Sequence, residues 1–383
     1  MRTTTRVLLT GGGSGGHIQP NLALASELNS NGGTDRATNG GTDGSGKIEI
    51  LYVGSRLAMD RELVEAARIP FRSIYTGKLR RYFDWRNFTD PFLAMAGFFQ
   101  AFWIVARFWP SVVFCKGGFV SLPVALAAFV LGRPIVLHES DTVMGLSNRI
   151  VAKLAKKVCV GFPEVMADNP KTVFTGNPVR LSIRGGDAKE GYRITGFRPE
   201  RPVLLVLGGS QGSQEINQLI EKELHRLKSI FQIVHVMGKG KNSCGGTCCE
   251  TDCGTTGGQN GGYVQFEYLG QELAHIYAIT TTIVSRAGAN SLYEIALLQK
   301  PNVIVPLKSA AHNHQVLNAD YFERMGGSVV LKKGQSLFEV LEALQKNPAQ
   351  MESMKVSLGK LAKPEAAETI AGIVLGLAKA ERV

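Results

Sequence analysis

Two apolar runs, each ending in a glycine-rich turn, most constrain how this chain can fold. Val7-Leu8-Leu9-Thr10 leads into Gly11 to Gly16 and then His17, while Val203 to Leu207 leads into Gly208-Gly209-Ser210-Gln211-Gly212. A strand that stops at glycines and restarts as a helix opens a βαβ unit, and the helix N-terminus offers backbone N–H groups to an anion. Two such openings predict two nucleotide-type half-folds facing each other, with the function between them. A length of 383 residues with 44% apolar content leaves room for two ordinary cores.

Apolar runs alternate with longer helix-like segments, the signature of an α/β chain with parallel sheets. In the first half, strands are predicted at Arg6–Thr10, Ile48–Val53, Val112–Cys115, Ile135–His138 and Lys157–Val160. In the second they are predicted at Val203–Leu207, Ile230–Val236, Val264–Tyr268, Thr282–Ser285, Asn302–Val305 and Ser328–Leu331. Gly176-Asn177-Pro178-Val179-Arg180 and the polar stretch Ser182 to Arg201 read as a linker with an irregular connection, and the hinge is placed there. The tracts Asn29 to Gly46 and Lys239 to Gly262 read as surface insertions. Helical spacing of Ile370, Ile373, Val374 and Leu377 marks a C-terminal helix that could dock on either domain.

The net charge of +11 suits an anionic partner, which could be nucleic acid, an acidic lipid surface or a phosphorylated metabolite. The segment Met1 to Leu9 has too short an apolar core for a signal peptide, so a cytoplasmic protein is expected. The apolar stretch Phe92 to Ala106 would reach only about 22 Å as a helix, against a bilayer core of about 30 Å. Of the six cysteines, Cys115 and Cys159 sit in apolar contexts that suit buried free thiols. Cys244, Cys248, Cys249 and Cys253 could form a zinc or redox site or simply belong to an insertion.

The first turn contains G-x-G-x-x-G at Gly11, Gly13 and Gly16, but the second strand ends Leu51-Tyr52-Val53-Gly54-Ser55, without the acid that would hold a dinucleotide's ribose. That argues against an NAD enzyme. Pro20 suits the first turn of the following helix, and His17 then projects from the mouth of an anion cradle, either as a general base or as a loop cap. In the second turn, Ser210 could add a hydroxyl to a phosphate oxygen. Ser291-x-x-Glu294 fits a capping box, while Glu294 could instead accept from vicinal ribose hydroxyls. Gln315 and Asn318 could bind sugar hydroxyls; the paired His312 and His314 lack a nearby third metal ligand. Around Leu79 to Arg86, aromatic and basic residues interleave, as in an exposed loop or a peripheral membrane patch.

Together these residues resemble the MurG glycosyltransferases over nearly the whole chain. The motifs are Gly12-Gly13-Ser14-Gly15-Gly16-His17-x-x-Pro20, Gly77 to Tyr82, Gly117 to Ser121, His138-Glu139, Gly176 to Arg180, Gly208 to Gly212, the segment ending at Glu294, and His314-Gln315-x-x-Asn318-Ala319. The resemblance implies a GT-B fold of two Rossmann-like domains across a cleft. An N-terminal acceptor and membrane-associated domain would span 1–178 and a C-terminal UDP-sugar domain 179–365, with a helix at 366–383 able to pack back on the first. It further implies inverting transfer of N-acetylglucosamine from UDP-N-acetylglucosamine to the 4-hydroxyl of the muramoyl sugar of lipid I, giving lipid II for peptidoglycan synthesis. By the same resemblance His17 would be the base, and Ser14, Gly15, Gly16, Asp141, Arg180, Ser210, Leu269, Ala289, Asn290, Ser291, Leu292, Tyr293, Glu294 and Gln315 would contact the donor. The membrane patch would comprise Lys78, Leu79, Arg80, Arg81, Tyr82, Phe83 and Trp85 on the cytoplasmic face of the cell membrane. Other cell-wall synthesis proteins would be possible partners.

No cofactor or nucleic-acid partner is expected, nor a metal, whose role helix N-termini, Ser210 and Arg180 could fill by stabilising a departing diphosphate. Two features depart from the family pattern. Ser14 stands where threonine is usual, and Ser140-Asp141 replaces a more familiar Gln-Asn pair; an aspartate near a diphosphate repels it unless screened or turned away. The rival readings are a 2-epimerase, a soluble-acceptor transferase of the same fold, a non-catalytic nucleotide-sugar-binding protein and a nucleic-acid-binding protein.

Overall fold

A computed structural model describes residues 4–13, 15–32, 47–77, 86–209, 212–238, 240, 262–307 and 313–380. It forms two compact units, Met1–Arg180 with Lys363–Val383, and Leu181–Ala362. The first unit holds β1 (Thr5–Thr10), α1 (Gly15–Gly32), β2 (Ile48–Gly54), α2 (Ala58–Ala66), β3 (Phe71–Ser73) and α3 (Arg86–Phe108). It continues with β4 (Val112–Cys115), α4 (Ser121–Val130), β5 (Ile135–Glu139), α5 (Leu146–Leu154), β6 (Lys157–Val160) and β7 (Thr172–Phe174). Its seven strands lie in the order β3-β2-β1-β4-β5-β6-β7, all parallel.

Val7 to Thr10 are completely buried, which is why β1 reads as an unbroken apolar run rather than an alternating one. Leu9 lies opposite both Tyr52 and Phe114 in the central register. The short edge strands β3 and β7 are additions to the predicted set; with three residues each they show no period that sequence could reveal. A C-terminal helix, which we label α13 (Ala366–Ala380), completes this unit by packing on α1 and β4. Its Ile370, Ala371, Val374 and Ala378 join Val7, Leu24, Leu28 and Phe114 in one buried cluster.

The second unit contains α6 (Ala188–Thr195), β8 (Val203–Leu207), α7 (Gln214–Ile230), β9 (Gln232–Val236), β10 (Tyr263–Phe266) and α8 (Glu272–Ile279). Then come β11 (Thr282–Ser285), α9 (Ala289–Leu298), β12 (Asn302–Ile304), α10 (His314–Arg324), β13 (Val329–Val330), α11 (Leu337–Gln345) and α12 (Pro348–Leu361). The parallel order is β10-β9-β8-β11-β12-β13.

Three local expectations are corrected. The stretch expected to be irregular contains α6, started by the Asp187 side chain accepting from the Lys189 N–H and stopped by Gly196 at φ 67°. Gly191 lets this helix sit tightly on α8, because a Cβ there would come within 2.4 Å of the His275 carbonyl oxygen. Helix α1 starts at Gly15, so Pro20 lies inside the helix, in its second turn. The Ser291 capping box does not form: α9 begins after Gly288, so Ser291 lies inside the helix rather than at its N-cap.

Candidate active site

The first glycine turn is built against a carboxylate. Asp60, fully buried on α2, accepts the Gly13 N–H at 3.1 and 3.3 Å, the Ser55 N–H at 3.1 Å and the Ser55 hydroxyl at 2.6 Å. A Cβ on Gly12 would lie 2.3 Å from an Asp60 oxygen, and Gly13 takes φ +85° with the Phe119 ring against it. Glycine is thus required by close approach at one position and by backbone sign at the next. Behind the turn, Tyr52 donates to the Gly11 carbonyl at 3.0 Å and Asn21 donates to Tyr52 at 3.0 Å, which fixes the loop from beneath. One loop N–H is therefore spent on an internal carboxylate.

His17 stands in the first turn of α1. The residue is half-buried, but its Nδ1 is fully covered and has no hydrogen-bond partner among the described residues. The ring bonds to the backbone of Lys116. With Nδ1 unpartnered, the group donating to the Lys116 carbonyl is Nε2–H, which puts the ring's lone pair on the covered Nδ1. Desolvation holds the imidazole down at about 4; Lys116 adds to this, while Asp141 and Asp60 oppose it. His17 is neutral at pH 7. Gly118, at φ +81°, leaves room for the ring, whose Cδ2 would be 3.2 Å from a Cβ there.

Beside it lies a buried polar cluster on the ends of β4 and β5. The Lys116 ammonium is 2.8 Å from His138 Nδ1 and also donates to the Ser140 hydroxyl. His138 Nε2 is 2.9 Å from the Gly176 carbonyl oxygen, so it donates there and turns an acceptor nitrogen toward Lys116. Burial moves Lys116 down to about 8, against the pull of Glu139 and Asp141. Glu139 accepts from Asn148 at 2.8 Å and from the Asp141 N–H at 3.1 Å, yet burial, reinforced by Asp141, pushes it up to about 7. Gly15 is buried, Gly16 exposed, Asp141 half-buried and Arg180 exposed.

In the second unit, Gly209 at φ +84° and Gly212 at φ +69° shape the turn after β8; a Cβ on Gly212 would strike the Met237 carbonyl at 2.0 Å. Ser213 caps α7 by accepting from the Ile216 N–H. Arg286, nearly fully buried, pairs with Glu215 at 2.9 Å and donates to the Val305 carbonyl at 3.1 Å, tying the start of α9 to its neighbours. Ala289, Asn290 and Ser291 form the first turn of α9, whose N-cap position is Gly288, a residue with no side chain to cap it. Leu292 and Tyr293 face the core, where Tyr293 meets Phe322 edge-on at 5.9 Å. Glu294 is half-buried and accepts from the Tyr277 hydroxyl at 3.4 Å. Leu269 is buried, and Gln315 accepts the Leu307 N–H at 3.0 Å. Asn318 is buried and donates to the Ala287 carbonyl at 3.1 Å, a supporting contact for the same loop.

Ser14, Ser210, His312, the patch Lys78 to Trp85, the cysteines 244, 248, 249 and 253, and most of both insertions lie outside the described residues. Cys115 and Cys159 are buried free thiols. Among the described residues no group of three His, Cys, Asp or Glu is placed to hold a metal ion.

Sequence reasoning missed Asp60 and Lys116, and it missed the exposed face of α3. Phe92, Met95, Phe99 and Trp103 recur at helical spacing and face solvent, Trp103 being 73% exposed. Helix α4 packs beside α3 and ends in the exposed Phe129 and Val130; α5 beside it shows Leu146 and Ile150, with Arg149 and Lys153 exposed. No helix among the described residues is long and apolar enough to cross a membrane.

The chain matches the glycosyltransferase family 28 N-terminal domain over residues 7–160 and the glycosyltransferase family 28 C-terminal domain over 203–370. It is 42% identical over 333 residues to a UDP-N-acetylglucosamine–N-acetylmuramyl-(pentapeptide) pyrophosphoryl-undecaprenol N-acetylglucosamine transferase of Clostridium kluyveri, covering 86% of each chain. The protein of the same name from Lachnoclostridium phytofermentans is 41% identical over 331 residues, again with 86% of each covered. Among solved structures, Acinetobacter baumannii MurG aligns with a TM-score of 0.68 at 22% identity, over 97% of this chain and 99% of that one. A Neisseria meningitidis UDP-GlcNAc 2-epimerase bound to UDP-GlcNAc aligns with a TM-score of 0.63 at 14% identity, over 97% of this chain and 100% of that one. These structural likenesses carry the fold alone.

Proposed function

The chain belongs to glycosyltransferase family 28, among the MurG transferases, and from that premise we propose how its residues carry the transfer. It moves N-acetylglucosamine from UDP-N-acetylglucosamine to the muramoyl sugar of lipid I, forming lipid II. His17 takes the proton of the attacking 4-hydroxyl at Nδ1, while the hydroxyl oxygen displaces UDP from the anomeric carbon with inversion. The observation that carries this reading is the neutral ring of His17, held through the Lys116 carbonyl with Nδ1 unpartnered. Nδ1 is covered in this structure, so the ring or what covers it must shift for a hydroxyl to reach that nitrogen and meet a base already in the reactive tautomer.

On the donor side, the first turn of α9, entered through Gly288, supports binding of the diphosphate, because its N–H groups and helix dipole favour negative charge. Glu294 is placed one helical turn further on, as a carboxylate able to accept from ribose hydroxyls. Leu292 and Tyr293 then contribute through the backbone, their side chains being core. Ser14, Gly15, Gly16, Asp141, Arg180, Ser210, Leu269 and Gln315 remain our proposed donor contacts.

We also propose that the exposed apolar side chains of α3, α4 and α5 enter the interface of the membrane that holds the acceptor, with Arg107, Arg149 and Lys153 meeting anionic headgroups. The segment Lys78 to Trp85 would extend that contact. Incubation with radiolabelled UDP-N-acetylglucosamine and lipid I tests the whole reading: label should pass to the lipid phase. Label recovered as an epimerised UDP-sugar, or left in intact donor by folded protein, would overturn it.

A further inference from the structure

The buried ammonium of Lys116 takes no part in the transfer described above, yet it lies among the residues that do. We propose that Lys116 and Asp141 act as paired opposite charges beside His17, setting its protonation and letting an aspartate stand where the donor's diphosphate is bound. The proposal rests on the reading of His17 as base.

Lys116 grips both sides of the site. Its backbone carbonyl holds the His17 ring, while its ammonium binds His138 at 2.8 Å and the Ser140 hydroxyl next to Asp141. It therefore ties the end of β4 to the first turn of α1 and to the segment following β5. The groups facing Lys116 are His138 and Glu139 from β5, Asp141 beyond it, Cys159 from β6 and His17 from α1; Asp60 on α2 also acts on His17. His138 and Cys159 are neutral at pH 7, since burial moves the first down and the second up to about 12. The charges that remain are those of Lys116, Asp141, Asp60 and a Glu139 close to its midpoint.

This arrangement has signed consequences. Without the ammonium, only desolvation would oppose the pull of Asp141 and Asp60, and His17 would hold its proton to higher pH. Without Asp141, the ammonium would lose one of its two main attractive partners and release its proton more easily. With both present, the positive charge screens the aspartate from a bound diphosphate. The Ser140-Asp141 pair thus makes physical sense together with Lys116 and not alone.

The test uses the full chain as Lys116→Met, Asp141→Asn and the double variant. In substrate-free protein with carbon-13-labelled histidine, Lys116→Met should raise the His17 midpoint by about one pH unit or more. The acid limb of kcat/KM should move up with it. Activity of the double variant should exceed that of Lys116→Met by about tenfold, since the lost charges then match. A purely structural lysine would cost stability and leave the His17 midpoint in place. An unmoved midpoint in folded Lys116→Met, or a double variant whose loss is the product of the single losses, overturns the proposal. If Lys116→Met does not fold, the Lys116 Cε titration in Asp141→Asn decides: it should fall below wild type, and an unchanged value overturns the pairing. A shifted His17 midpoint with an unshifted rate limb upholds the pairing and removes His17 as base.

Discussion

Asp60 holds the backbone N–H of Gly13 with both carboxylate oxygens, at 3.1 and 3.3 Å. The same side chain binds the Ser55 N–H and hydroxyl, so one buried carboxyl group organises the turn. Asp60→Asn replaces one acceptor oxygen by a donor that faces other donors. It should cost about 1–3 kcal/mol, read as a lower urea midpoint. A midpoint equal to wild type would show that the turn holds itself.

Removal of the imidazole in His17→Ala should reduce kcat by roughly 10² or more while sparing donor affinity. Because the ring is held down at about 4, kcat/KM should stay level from pH 7 down toward 5 and fall only as pH drops through that lower range. A limb at the ordinary histidine midpoint near 6.5 would mean that a different group limits the rate.

Membrane attachment can be separated from chemistry. Phe99→Ser with Trp103→Ser removes two large side chains that already face solvent, so folding should change little. Co-sedimentation with anionic vesicles should drop several-fold. Transfer to a water-soluble acceptor analogue should be retained. Undiminished sedimentation would move the contact to another surface.

Acid should weaken the second unit through His235. Burial holds its midpoint at about 4, with Asn217 at 3.0 Å on one ring nitrogen and Tyr263 at 3.0 Å on the other. Its folded value lies below the unfolded value near 6.5, so the unfolded chain binds the extra proton and stability falls as pH drops between the two. The loss is up to roughly 3 kcal/mol. His235→Gln, which keeps one donor and one acceptor, should flatten the dependence of the unfolding free energy across pH 6.5 to 4; an unchanged slope would exclude this histidine as its source.

What was legible in the sequence was local. β1, β8 and their glycine turns announce themselves by an apolar run and a change of residue type, and His17 by its place after the first turn. Asp60 was illegible because it reaches Gly13 across 47 positions of chain, and a helical aspartate looks like an ordinary solvated one. Lys116 was illegible for the same reason: burial is a tertiary property, and only the fold shows that an ammonium lies beneath Ser140. The exposed stripe of α3 was seen as apolar, but an apolar helix face has the same spacing whether it meets a core or a lipid surface. Helix α6 was concealed by a polar composition that its Asp187 cap and Gly196 stop could have outweighed.

The return of α13 to the first unit sets an order of events during synthesis. The cluster that contains Val7 and Leu24 is closed by Ile370 and Val374, residues that leave the ribosome hundreds of codons later. Domains commonly fold in the order they are made. The first half therefore cannot complete this apolar cluster until the second half has been made. A stop codon just before α13 would leave every proposed site residue in place and still deprive the first domain of part of its core.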